Sequence, residues 1–65
     1  MKNKIEKLRK DKKLSQENLA DLCKVSRQTI NAIENNKYSP SLELAFRLSS
    51  ILSVSVDELF IYEEK

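Results

Sequence analysis

Residues Ser15 to Asn36, SQENLADLCKVSRQTINAIENN, carry most of the structural information in this chain. They hold two short helical patterns, one from about Gln16 to Cys23 and one from about Arg27 to Asn35. Each follows a serine, Ser15 or Ser26, placed to accept from the free backbone N–H groups at a helix start. The link, Lys24-Val25-Ser26, is too short for anything but a sharp corner. At about 100° per residue, Arg27, Gln28, Asn31, Ala32 and Asn35 share one side of the second helix. Thr29, Ile30 and Ile33 take the other side, and the apolar side packs inward.

Two helices joined by such a corner form a helix-turn-helix, whose second helix enters the DNA major groove. The outer side of this second helix suits that task. Arg27 offers a fork of donors that matches guanine O6 and N7. The amides of Gln28 and Asn31 match adenine N6 and N7. Ala32 is small. A polar face without a task would more often carry Glu and Lys.

With these residues the chain resembles the Cro/repressor (XRE) helix-turn-helix family, in particular its small single-domain bacterial members. The resemblance rests on Arg9, SQ-x-x-LA at Ser15 to Ala20, VSRQTI at Val25 to Ile30, IEN at Ile33 to Asn35, Pro40, Leu44-Ala45 and Leu59-Phe60. Family members often have glycine in the inter-helix turn and again after IEN. Here Lys24 and Asn36 stand there. Asn tolerates a left-handed backbone better than Lys does, so Lys24 reads as a slightly strained turn.

The resemblance implies an all-α, five-helix DNA-binding domain. It also implies that Gln16 contacts the DNA backbone and braces Gln28, and that Arg9 pairs with Glu34 to join helix 1 to the end of helix 3. Asn35, Lys37, Tyr38 and Ser39 would touch phosphates, for which amide, ammonium and hydroxyl groups are suited. Tyr38 would equally well pack on helix 4. The expected DNA-facing set is Gln16, Ser26, Arg27, Gln28, Thr29, Asn31, Ala32, Asn35, Lys37, Tyr38 and Ser39.

Outward from this motif, helix 1 covers about Lys4 to Lys12, with Ile5 and Leu8 inward. Helix 2 buries Leu19, Ala20 and Cys23, with Ala20 where helices 2 and 3 cross, and Leu22 joins the core from the flank. Ser39 reads as an N-cap and Pro40 as the first residue of helix 4, which runs to about Leu52. Leu44, Ala45, Leu48, Ile51 and Leu52 recur there at helical spacing. Ser55 to Glu58 has capping-box form and opens a short helix 5 ending at Leu59 or Phe60. Phe60-Ile61-Tyr62 then reads as an extended segment pairing with Lys2-Asn3.

Sixty-five residues make one small domain, residues 1–65. A chain of this size buries only about 60% of its unfolded surface. A single cysteine and no histidine exclude a disulfide within the chain and make a structural zinc unexpected. Cys23, on the inner side of helix 2, reads as a small hydrophobe. A partner subunit is the natural source of extra stability. The expected homodimer interface is the C-terminal segment, with Leu52, Val54, Leu59, Phe60, Ile61 and Tyr62.

The net charge of +2 is unevenly placed. Residues 1–13 carry Lys2, Lys4, Lys7, Arg9, Lys10, Lys12 and Lys13 against Glu6 and Asp11. Residues 41–65 carry Arg47 and Lys65 against Glu43, Asp57, Glu58, Glu63 and Glu64. One face therefore suits an anionic partner and another turns away from it. No stretch is apolar and long enough for a signal peptide or a membrane span, which points to the cytoplasm.

The expected function is a sequence-specific, double-stranded DNA-binding regulator, a repressor, acting as a homodimer on a palindromic operator without a cofactor. The alternative is an antitoxin-like or other protein-interaction module that uses its apolar tail to hold a second protein. Catalysis is excluded, because no motif pairs a nucleophile with a base and no metal cluster is present.

Overall fold

Ser15 and Ser26 begin their helices as the sequence predicts. The computed structural model describes residues 2–62. Its elements are β1 (Lys2–Asn3), α1 (Ile5–Asp11), α2 (Gln16–Cys23), α3 (Arg27–Glu34), α4 (Leu42–Leu52), α5 (Val56–Leu59) and β2 (Phe60–Ile61). Ser15 Oγ accepts from Asn18 N at 2.9 Å, and Ser26 Oγ accepts from Thr29 N at 3.2 Å. Each bond satisfies a donor that a helix start leaves free. Five helices and a small antiparallel sheet make a mostly helical domain. The acidic pair Glu63-Glu64 and Lys65 lie outside the described residues.

The start of α4 differs from the sequence reading. Ser41, not Ser39, is the N-cap, and its Oγ accepts from Leu44 N at 3.2 Å. Pro40 precedes the helix instead of opening it. Ser41 is extended, with φ −63° and ψ 161°, so its hydroxyl turns back onto the first turn. The sequence offers two serines flanking a proline, and the second of them takes the cap.

The helix ends follow a common rule. Lys13, Lys24, Asn36 and Ser53 all have φ near 60°, in the left-handed region. In each case the next residue's N–H returns to a carbonyl five residues back. The bonds are Leu14 N to Arg9 O at 3.0 Å, Val25 N to Ala20 O at 3.0 Å, Lys37 N to Ala32 O at 2.9 Å and Val54 N to Ser49 O at 3.1 Å. Glycine usually takes this position, and the chain has none. A residue with a Cβ costs about 1–2 kcal/mol there. Glycine also loses more entropy on folding, which offsets part of that gain. Ser53→Gly is therefore expected to stabilise the protein by about 0.5–1 kcal/mol, read as a higher urea midpoint at an unchanged slope. A lower midpoint would contradict the strain assigned to Ser53.

The core sits between the helices. Ile5, Leu19, Cys23, Ile30, Ile33, Leu48, Leu52 and Leu59 are enclosed, and Ala20, Leu44, Ala45 and Phe60 join them. Leu8 and Ile51 pack against this cluster from its edge. Leu22, expected on the flank of the core, is exposed instead. Its neighbours Leu19, Ala20 and Cys23 already fill the inward arc of α2. Burial pushes the Cys23 thiol up, outweighing a smaller downward pull from Arg47. The thiol is thus enclosed within the core.

The chain ends meet in the sheet, with Lys2 opposite Ile61 and Asn3 opposite Phe60. Lys4 N extends the pairing to Leu59 O at 2.9 Å. Arg47 on α4 donates to Cys23 O at 3.2 Å and also pairs with Glu43. It thereby satisfies a carbonyl at the end of α2. No helix among the described residues is long and apolar enough to cross a membrane.

Candidate nucleic-acid interface

The second helix of the motif, α3, is strongly two-sided. Ile30 and Ile33 are buried, whereas Arg27, Gln28, Asn31 and Asn35 are exposed and Ala32 is half-buried. Thr29 is half-buried, and its hydroxyl lies 3.0 Å from that of Ser26. Among the described residues, the side chains of Arg27 and Gln28 have no hydrogen-bond or salt-bridge partner. Ser26, Gln28, Thr29, Ala32 and Tyr38 line an open concavity of about 270 Å³ beside the helix. Lys37, Tyr38 and Ser39 follow in an exposed segment past the end of α3.

A buried ion pair fixes how α3 is held. Arg9 Nε donates to Glu34 Oε2 at 2.8 Å, and Arg9 Nη2 donates to Glu34 Oε1 at 3.3 Å. The two side chains are 9% and 3% exposed, so this is an interior contact and not a surface pair. Arg9 Nη1 donates to Leu14 O at 2.8 Å, which ties down the turn after α1 as well. The bond from Glu34 holds the guanidinium above its already high ordinary pKa, against the opposing effect of burial. The pair expected between helix 1 and the end of helix 3 is thus present.

Gln16 does not brace Gln28. Its Nε2 donates to Glu34 Oε1 at 3.0 Å, and its Oε1 accepts from Asn31 Nδ2 at 3.4 Å. The carboxylate is the stronger acceptor in reach and draws the Gln16 amide toward the ion pair. Asn35 Nδ2 donates to Asn31 O at 2.9 Å and to Asn31 Oδ1 at 3.2 Å. The expected surface residues therefore divide into two groups. Arg27, Gln28 and Lys37 are unengaged, while Gln16, Asn31 and Asn35 form a connected chain.

Asn3 was not anticipated. Its Nδ2 donates to Ile33 O at 2.8 Å and to Asn36 Oδ1 at 3.1 Å, while its Oδ1 accepts from Ile5 N at 3.1 Å. One side chain thus joins the start of α1 to the end of α3. Its partners lie 30 and 33 residues away, so no local pattern announces it.

The C-terminal residues expected at a subunit interface are also divided. Leu52 and Leu59 are enclosed by the subunit's own core, and Phe60 is almost so, leaving little surface for a partner. The reason is geometric: α5 packs against α4 and β2 pairs with β1, which places Leu59 and Phe60 in the subunit's own core. Val54 is half-buried, whereas Ile61 and Tyr62 are exposed. Leu42 and Phe46, one turn apart on α4, are 70% and 57% exposed and were not anticipated as surface residues.

Comparison with known proteins agrees with this geometry. A family model described as helix-turn-helix matches residues 5–59. An uncharacterised HTH-type transcriptional regulator of Methanocaldococcus jannaschii is 50% identical over 64 residues, covering 98% of this chain and 97% of that protein. The uncharacterised HTH-type transcriptional regulator YgzD of Bacillus subtilis is 42% identical over 65 residues, covering 100% and 98%. Relatives thus come from archaea as well as bacteria. The crystal structure of the restriction-modification controller protein C.AhdI from Aeromonas hydrophila superposes with a TM-score of 0.78 at 34% identity, covering 86% of this chain and 85% of that one. With α3 held by a buried ion pair and its donors turned outward, this chain belongs to the Cro/repressor-type (XRE) helix-turn-helix family and is a DNA-binding transcriptional regulator, not an enzyme.

Proposed function

We propose that the chain is a cytoplasmic repressor that binds a palindromic operator in double-stranded DNA as a homodimer. Residues 1–65 act as one DNA-binding domain. The α3 helix of each copy lies in the major groove, and the two half-sites are about one helical turn apart. The observation that carries this reading is the pairing of a buried inner face on α3 with unengaged Arg27 and Gln28 on its outer face. Polar groups that no neighbour occupies are available for base edges, and the backbone that carries them is already held in place. Gln16, Ser26, Thr29, Asn31, Ala32, Asn35, Lys37, Tyr38 and Ser39 complete the surface. Those past the end of α3 serve the phosphates.

Base readers and phosphate holders respond differently to substitution. Gln28→Ala is expected to cost about 1–3 kcal/mol on the operator and to relax preference at one or two base pairs. Binding to random duplex should barely change, because that affinity comes from backbone charge. Lys37→Ala should weaken operator and random DNA alike and lower the salt slope by about one unit per subunit. Titrations of both variants at several salt concentrations check this. Equal losses on both duplexes for Gln28→Ala would remove that residue from base reading.

The proposed dimer uses Val54, Ile61 and Tyr62 at the C-terminal end, since Leu52 and Leu59 are already committed to the core. Tyr62 is 79% exposed, a large apolar surface for a small subunit to leave in water. Sedimentation at micromolar concentration should give a twofold assembly that Tyr62→Asp weakens. A monomer both free and on operator DNA would contradict this arrangement.

A further inference from the structure

We infer that Gln16 is a positioning residue that fixes which way the Asn31 side-chain amide points, and so which base Asn31 accepts. The inference rests on the DNA-reading role proposed above. A carboxylate only accepts hydrogen bonds, whereas an amide has a donor end and an acceptor end. Glu34 already takes Arg9 Nε on one oxygen, and Oε1 takes both Arg9 Nη2 and Gln16 Nε2. Gln16 must therefore turn its donor end inward, leaving Oε1 to face Asn31. Asn31 answers with Nδ2, and its Oδ1 accepts from Asn35 Nδ2.

One buried charge thus orients three amides in series. Asn31 keeps one N–H and one acceptor site uncommitted. Adenine complements that pair through N7 and the N6 amino group, while guanine presents two acceptors and has nothing for Oδ1. With the amide reversed, the same base in the same place no longer matches. Gln28, which Gln16 does not touch, lies outside this control.

The test compares base preference in four proteins: wild type, Asn31→Ala, Gln16→Met and Gln16→Lys. Competition binding uses duplexes that carry each base in turn along a selected half-site. Asn31→Ala identifies the base pair that residue reads, by abolishing a preference of about tenfold or more. Gln16→Lys offers donors alone. It keeps the bond to Glu34 but meets Asn31 only through Oδ1, which reverses the amide. It should abolish preference at that same base pair. Gln16→Met frees the amide and should reduce the preference severalfold. In both variants the other positions should keep their preferences. Adding Asn31→Ala to Gln16→Lys should change nothing more at that base pair.

Wild-type preference at that base pair in both Gln16 variants, with affinity for all duplexes shifted equally, would overturn the inference. So would an Asn31→Ala protein whose preferences are all intact. Wild-type protein that prefers no sequence at all is a separate result, which removes the DNA-reading role itself.

Discussion

Glu34→Ala is expected to destabilise the protein by about 3–5 kcal/mol, because it leaves the enclosed Arg9 guanidinium without its charge partner. A 65-residue chain typically has only about 3–10 kcal/mol of stability in total. The variant should therefore be largely unfolded near physiological temperature, and DNA binding should fall with it. The loss would come from stranding a charge and not from removing attraction as such. Arg9→Met combined with Glu34→Leu should consequently recover much of it, since replacing both members of a buried pair with apolar side chains is often neutral. Urea unfolding of the three proteins measures this directly. A midpoint for Glu34→Ala equal to that of the wild type would mean that the pair holds nothing in place.

A loss of about 2–5 kcal/mol is expected for Ile30→Ala. Ile30 is fully enclosed on the inner side of α3 and faces the core shared by α1, α2 and α4. Truncation removes apolar burial and leaves a cavity that a small core repairs only in part. The outer face of α3 is untouched. At low temperature, where enough protein remains folded, base preference should match that of the wild type while the melting temperature is lower. A loss below about 1 kcal/mol would show that α3 is not anchored through this side chain.

Both effects act on the inner side of α3, the helix whose outer side is proposed to meet DNA. The positions of α2 and α3 were legible in the sequence because local signals agreed. Ser15 and Ser26 supply the caps, the apolar residues recur at helical spacing, and three residues between the helices leave room only for a corner. The Arg9–Glu34 pair was legible through family resemblance, and so were Lys24 and Asn36, which stand where the resemblance implies glycine. Lys13 and Ser53 take the same backbone conformation with no such signal. The strand pair of Lys2-Asn3 with Phe60-Ile61 was legible from an apolar run too short for another helix.

What was not legible depends on distant parts of the chain. Periodicity shows which side of α4 and α5 is apolar, but not whether that side meets the same subunit or another. Leu52 and Leu59 were therefore assigned to an interface, although the core encloses them. Leu42 and Phe46 extend the apolar character of α4 past the arc that the core can cover. Hydrogen-bond partners of long polar side chains are equally hidden. Gln16 has Glu34, Asn31 and Gln28 as candidate partners, and only the packing of α2 on α3 chooses among them. The choice of Ser41 over Ser39 as the cap of α4 is a smaller case, decided by the direction of the chain after Pro40.

Selection of bound sequences from a random duplex pool, with the wild-type protein at moderate salt, tests DNA reading by α3 most directly. The expected result is a motif of two inverted half-sites about one helical turn apart, enriched strongly over the starting pool. Repeating the selection with Gln28→Ala should blur one or two base pairs in each half-site and leave the spacing unchanged. A pool that remains random, bound with the same affinity as any other duplex, would contradict it.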